Sequence, residues 1–508
     1  MHATPTIEQI KELAASLGII LGDAEATIYQ GELDETLRGI DKFIQTPMDD
    51  SRPVLLYPAR EPGYRPDRDE DPYGAWLWKC DIGGSDEGLL AGKTVSFKDN
   101  VAVAGIPLTF GSMLFDGMIV DFDATIASRS LAAGAKIIGK NALRGFTDDF
   151  GPPLNPHDAG HGPGGSSSGS GVALAAKQVD ISFGGDQGGS IRLPASYNGI
   201  LGLKPTFGLV SHFGATYLSD PSVDHTGPMA RYSEDLAKAL QAVAGYDGLD
   251  PRQGREIPEH YDALSNLTNG VEGLRIAVLD EGFEGANASV KDAVMAALDV
   301  FVKLGASIER VSIPEHNTIG MPLGALGGEG SRAIFETTLF GAGAKTHYPA
   351  ALIAQFHRAW TSNADNFTPG TIKGVLAGEL ALRNYHGAAY AKANNVRPYF
   401  VRAYDKVLSE FDMIAMPTMK ITVPKAEDRP TDSLELLKWK FDYYRSIPGF
   451  NTRAANFTGH PAIAIPIGKE NGLPHSLMLT GRFLADARLI QAAYAYEHSV
   501  DWEDLLAI

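Results

Sequence analysis

Apolar residues recur at helical spacing in the first part of the chain. Ile10, Leu13, Ile19, Ile28, Leu33, Leu37, Ile40 and Phe43 sit among charges, which predicts helix over residues 7–46. From Pro47 to Gly74 the chain is rich in Pro, Asp and Arg, the composition of a surface linker, so a boundary is placed near residue 75. Residues 1–74 are then an N-terminal helical arm and linker, too small to enclose a core, that must pack on the main body or on another protomer. Residues 75–508 form the main domain.

Beyond the boundary the apolar pattern switches between strand and helix periods. Strands are expected at 94–97, 136–139, 181–183, 274–279 and 307–311. Helices are expected at 124–133, closed by Gly134, at 172–177, at 289–304, and after Ser233 as a cap, with Leu236, Leu240 and Val243 inward. This alternation predicts an α/β fold: a large mixed, mostly parallel sheet covered by helices. Residues 316–410 break the rhythm. They read as a mainly helical insertion with scattered aromatics (Phe335, Phe340, Tyr348, Phe356, Trp360, Tyr385, Tyr390) that could wall a pocket. Strands resume at 413–416 and 462–465, Asn471-Gly472 turns the chain into a strand at 476–480, and a last helix covers 485–498.

Composition narrows the function classes. The 508 residues are 44% hydrophobic and 21% charged, ordinary for a globular protein. A net charge of −18 repels phosphate backbones, so no nucleic-acid partner is expected. Cys80 is the only cysteine, which excludes a disulfide framework and a cysteine metal cluster. The first residues lack the unbroken apolar run of a signal peptide, and no stretch reaches 18 apolar residues. A cytoplasmic protein without a membrane partner is expected.

Several chemical signals fail on inspection. Gly88-Leu89-Leu90-Ala91-Gly92-Lys93-Thr94 has three residues between its glycines where a phosphate loop needs four. The acidic run Asp67–Asp71 meets Pro72 where a calcium loop requires glycine. The 13 histidines are scattered without a His-Glu-x-x-His pair, so no metal is expected. Cys80 reads as a packing residue and His161, between two glycines, as a loop residue rather than a catalytic base.

Two glycine-rich turns carry the chemistry: Gly164-Gly165-Ser166-Ser167-Ser168 and Gly188-Gly189-Ser190, with Lys98 upstream in Val95-Ser96-Phe97-Lys98-Asp99-Asn100. Glycines around a serine let the backbone approach a substrate and aim several N–H groups at one point, as acyl hydrolysis requires. These segments, with Phe457-Thr458-Gly459-His460-Pro461-Ala462 and Gly472-Leu473-Pro474, resemble the amidase signature family. Asp186-Gln187-Gly188-Gly189-Ser190-Ile191-Arg192 looks most like the branch associated with nitrile degradation, which the helical arm also fits.

The resemblance implies a Ser-Ser-Lys triad. Lys98 matches the family's lysine, Ser166 its bridging serine after a cis peptide bond, and Ser190, 24 positions on, its nucleophile. The N–H groups of Gln187, Gly188, Gly189 and Ser190 are the implied oxyanion hole. Asp186 and Arg192 are expected to fix the loop by an ion pair, and Ser167, Ser168 and Ser170 to serve as turn and capping residues. Lysine can act as the base only when neutral, so its pKa must fall from about 10.4 to about 7. The segment 140–156 looks shorter than its counterpart in relatives, and Phe146 and Phe150 are expected to replace the missing pocket wall. The reading is an amidase without cofactor, a homodimer through residues 7–46, acting on small carboxamides that are aromatic or branched. Its alternatives are an aryl acylamidase, hydrazidase or esterase of the family, the amidase-type subunit of a tRNA-dependent amidotransferase, and a catalytically silent amide-binding protein.

Overall fold

The computed structural model describes residues 3–48, 53–147, 149–337, 344–426, 430, 432–446 and 450–508. Phe340 and Asp148 lie outside them. Contacts group the chain into two compact units, Met1–Arg52 and Pro53–Ile508.

The first unit holds two helices within the span 7–46 that the apolar periodicity marked as helical. Helix α1 (Ile7–Ser16) opens on a reciprocal cap between Thr6 and Gln9, and α2 (Asp23–Gln45) follows. Gly18, at φ +78°, turns the chain between them, a conformation open to glycine and resisted by other residues. Leu17, Ile20, Ile28, Phe43 and Ile44 are exposed along these helices.

In the second unit the alternating segments assemble one sheet. Its strands are β1 (Trp76–Gly83), β2 (Thr94–Lys98), β3 (Lys136–Asn141), β4 (Ile181–Asp186), β5 (Leu201–Lys204), β6 (His225–Ala230), β7 (Arg275–Leu279), β8 (Ser307–Val311), β9 (Met413–Pro417), β10 (Ala462–Glu470) and β11 (Leu473–Gly481). They run in the order β1-β3-β2-β4-β6-β5-β10-β11-β9-β7-β8. The sheet is mixed and large, as the pattern predicted, but its parallel share is smaller. Only β2 with β3 and β4, and β7 with β8 and β9, pair in parallel. The antiparallel centre comes from β5, β6 and the β10–β11 hairpin closed at Asn471-Gly472. At the margins, β1 breaks its ladder with β3 twice, Tyr64 bridges to Lys79 on it, and β8 points Glu309 and Arg310 to solvent.

Helices cover both faces. On one, Leu236, Leu240 and Val243 of the helix Ser233–Val243 share an apolar cluster with Phe183, Leu203 and Ala230 of β4, β5 and β6, beside α3 (Thr125–Ala132). On the other, α4 (Ser168–Ala175) and α5 (Arg192–Asn198) bury Val172, Leu174 and Ala195 against Met229 and Ala464. Ser233 does not cap its helix: the cap residue is Tyr232, and Glu497 Oε2 accepts the Ser233 N–H at 2.7 Å. A carboxylate near a helix start meets both its free N–H groups and its dipole.

Among the described residues, 320–408 hold four α-helices, Gly320–Glu336, Ala350–Asn363, Pro369–Tyr385 and Ala388–Leu408. Phe335, Phe356, Phe367 and Trp360 from this segment cluster with Phe110, Phe115 and Phe146.

Candidate active site

β2 and β4 are parallel neighbours, with Phe97 opposite Phe183 and the two rings stacked at 5.5 Å. Their carboxyl ends therefore open at one place, the usual location of a site in such sheets. Lys98 is the last residue of β2, and Gln187–Ile191 link β4 to α5. Ser166 lies just before α4, after a cis Gly165–Ser166 peptide bond. The Ser167 hydroxyl ties this turn to β4, donating to Gly185 O and accepting from Gly185 N–H, each at 3.1 Å.

Three separate stretches of chain thus converge. Lys98 is fully buried, and its Nζ donates to Ser166 Oγ at 2.7 Å. Burial lowers the Lys98 pKa from 10.5 to about 8, while the charges of Asp224 and Asp186 oppose the fall. Ser190 and Ser166 line the same cavity, of about 430 Å³. Among the described residues no hydrogen bond joins the two hydroxyls. The turns meet instead through the Ser167 N–H, which donates to Ser190 O at 3.2 Å.

The loop after β4 is held from beneath. Asp186 and Arg192, both fully buried, are joined by Nε to Oδ2 and Nη2 to Oδ1, each at 3.0 Å. Burial would raise the Asp186 pKa, but the charge and hydrogen bonds of Arg192, with Asn456 and Lys204, hold it well below the carboxylate range. Asn456 Nδ2 donates to Asp186 O at 2.8 Å and its Oδ1 accepts from Arg192 at 2.8 Å. Asp186 Oδ1 also takes the Gly189 N–H at 2.7 Å. This corrects the implied four-donor hole: Gly189 turns its N–H inward, leaving those of Gln187, Gly188 and Ser190 as candidates. Gly189 itself has φ +132°, and a Cβ there would come within 2.4 Å of Thr452 Oγ1, whose hydroxyl donates to Gly188 O.

The two phenylalanines separate. Phe150 lines the cavity beside Tyr197, Trp439 and Phe450, with the Arg65 guanidinium 4.8 Å above its ring. Phe146 does not: only 6% exposed, it packs against Phe110, Phe335 and Phe367. A large ring with that many apolar neighbours is drawn out of contact with solvent. Among the described residues, the helical segment gives no lining residue to this cavity. It contributes Thr346 and His347 to a second one, of about 530 Å³, bordered by His212, Tyr217 and Arg252.

His161 stands in a loop with Nδ1 2.9 Å from Asp158, and burial pushes the Cys80 thiol up to about 12, away from the nucleophilic thiolate. Among the described residues no three His, Cys, Asp or Glu side chains gather as a metal site, and no helix is long and apolar enough to cross a membrane. Sequence reasoning missed Thr452, Asn456 and Asp224. The first two precede the quoted Phe457–Ala462 segment, and Asp224 sits in an unremarkable run before β6.

The chain is 35% identical to an enantioselective amidase of Rhodococcus rhodochrous over 486 residues, 92% of either chain. It is 34% identical to a subunit of the glutamyl-tRNA(Gln) amidotransferase of Methanosarcina mazei over 428 residues, 82% of this chain and 86% of that one. The peptide amidase of Stenotrophomonas maltophilia superposes with a TM-score of 0.67 at 28% identity, over 81% of this chain and 83% of that one. The amidase profile matches residues 78–490, which include every residue of the serine–lysine cluster, and the chain belongs to this family of amide-hydrolysing enzymes, the amidase signature family.

Proposed function

We propose that the protein hydrolyses small carboxamides, aromatic or branched, to the carboxylic acid and ammonia or amine, through an acyl–Ser190 intermediate. The observation that carries the reading is the 2.7 Å contact from the buried Lys98 amine to Ser166 Oγ on the wall shared with Ser190. Serine is a weak nucleophile until an adjacent base takes its proton. As Ser190 Oγ bonds to the carbonyl carbon, its proton passes to Ser166 Oγ, whose own proton passes to neutral Lys98. The N–H groups of Gln187, Gly188 and Ser190 face the oxyanion that forms. Collapse breaks the C–N bond, and the proton returns from Lys98 through Ser166 to the departing nitrogen. Water then attacks the ester by the same relay and frees the acid. No step calls for a cofactor or metal.

Phe150, Tyr197, Trp439 and Phe450 on the cavity wall support an aromatic or branched acyl group. Similarity to the amidotransferase component supports a second reading, in which the site serves a larger complex. The exposed apolar residues of α1 and α2 support a homodimer through residues 7–46, with residues 1–74 as an appended arm. A lone cysteine suits a cytoplasmic location.

Ser190→Ala should abolish release of ammonia or amine from a panel of carboxamides, anilides, hydrazides and esters while leaving the circular dichroism spectrum and Tm unchanged. Retained hydrolysis refutes the reading, and hydrolysis by the purified wild-type chain alone refutes the need for partner subunits. Deletion of residues 1–46 should halve the mass measured by light scattering.

A further inference from the structure

We infer that Asp224 is a positioning residue, which holds the Gln187 side chain beneath the loop that carries Ser190 and sets the charge balance around Lys98. The inference rests on the triad reading above.

Asp224 immediately precedes β6, and the β4–β6 register sets Asp186 opposite His225, so the two strands deliver Asp224 and Gln187 to one spot. The carboxylate is fully buried and fully engaged. Its Oδ1 accepts from Gln187 Nε2 at 2.7 Å, and its Oδ2 accepts from the Leu218 N–H at 3.1 Å. On the far side His212 Nε2 stands 3.1 Å from Oδ1, its ring stacked on Tyr217 at 4.8 Å. Arg252 Nη1 donates to the Asp224 carbonyl at 2.7 Å, while Asp250 binds the same guanidinium through two hydrogen bonds of 3.0 and 2.9 Å. Arg252 is matched chiefly by Asp250, with a smaller pull from Asp224, whose oxygens serve Gln187 and the Leu218 N–H beside His212.

Gln187 brings this anchor to the reaction centre. A Cβ built on Gly185 would lie 3.1 Å from Gln187 Nε2 and 3.6 Å from Lys98 Nζ, so the amide and the amine flank the same glycine. A side chain held at its tip restrains the backbone that bears it, and Gln187 N–H and Gly188 N–H are two of the three candidate oxyanion donors. Misplacing such donors by an ångström is costly to the rate. The charged groups around Lys98 are Asp224 and Asp186, both anionic and both favouring the ammonium, and Arg192 offsets only Asp186 at close range.

The two roles separate by mutation. Asp224→Asn keeps the shape and an acceptor for Gln187, gives up the bond from the Leu218 N–H and removes the charge, so the acid limb of kcat/KM should move about 1 pH unit below its wild-type position. Gln187→Met keeps the charge but loses the anchor, so kcat on the alkaline plateau should fall ~10-fold with the limb unmoved, while Tm drops because the buried carboxylate loses a donor. A folded Asp224→Asn enzyme with the wild-type limb overturns the inference, as does wild-type kcat in Gln187→Met. Should Asp224→Asn fail to fold, Gln187→Met decides alone. Ser190→Ala in parallel separates the two readings: if it keeps activity the triad fails, and if it is inactive beside an unchanged limb only the role of Asp224 fails.

Discussion

Replacing Lys98 with Met tests the proposed base through two independent readouts. The side chain is fully buried, and burial lowers its pKa from 10.5 to about 8, against the pull of Asp224 and Asp186. At pH 7 about a tenth of the molecules carry the neutral amine, and at pH 9 about nine-tenths, so kcat/KM should rise roughly tenfold between them with a midpoint near 8. Lys98→Met should fall about 10²–10⁴-fold below wild type, the range for loss of a general base. The same shift has a stability consequence. The unfolded chain keeps its proton up to pH 10.5 while the folded chain releases it near 8, so wild-type stability rises with pH across that window. The full effect is about 3 kcal/mol, present above pH 10.5 and lost as the pH falls through 8. Other groups titrate in both proteins, so the informative quantity is the difference between them. In urea unfolding at pH 7.5, 9 and 11, wild type should gain about 3 kcal/mol on Lys98→Met. A rate profile flat between pH 7 and 9, or parallel stability curves, would refute an amine that loses its proton near neutrality.

Two further predictions follow from burial. Arg192→Met leaves the Asp186 carboxylate buried and unmatched, which should cost about 3–5 kcal/mol in urea unfolding, together with activity as the loop loses its support. Phe146→Ala should lower stability by about 3–5 kcal/mol with little change in KM, whereas Phe150→Ala should raise KM for aromatic amides several-fold and cost less than about 1.5 kcal/mol.

The sequence was most legible where periodicity and turn chemistry agree. β2, β4, β7, β8 and the Asn471-Gly472 hairpin all lie where the pattern put them, within a few residues. β6 escaped notice because Gly227 and Pro228 stand inside a fully buried strand, where Pro228 pairs with Phe183 although it cannot donate to a ladder. β1 was hidden by its bulges, which break the alternation of inward and outward residues. The cluster of Lys98, Ser166 and Ser190 could be singled out because glycine-flanked serines leave a strong local mark. Of its support only the Asp186–Arg192 pair could be read as well: Asn456 is 270 positions from Asp186, with no charge or spacing to announce it. Phe146 and Phe150 look alike in sequence, and only the neighbours that each meets in the fold send one to the core and the other to the cavity.

The margins of the sheet bear on how molecules of this protein meet. A straight, bare outer strand is a template onto which another chain can add its own backbone. Here one rim is kinked and bridged by Tyr64, and the other exposes Glu309 and Arg310. Both features disfavour growth of the sheet from molecule to molecule.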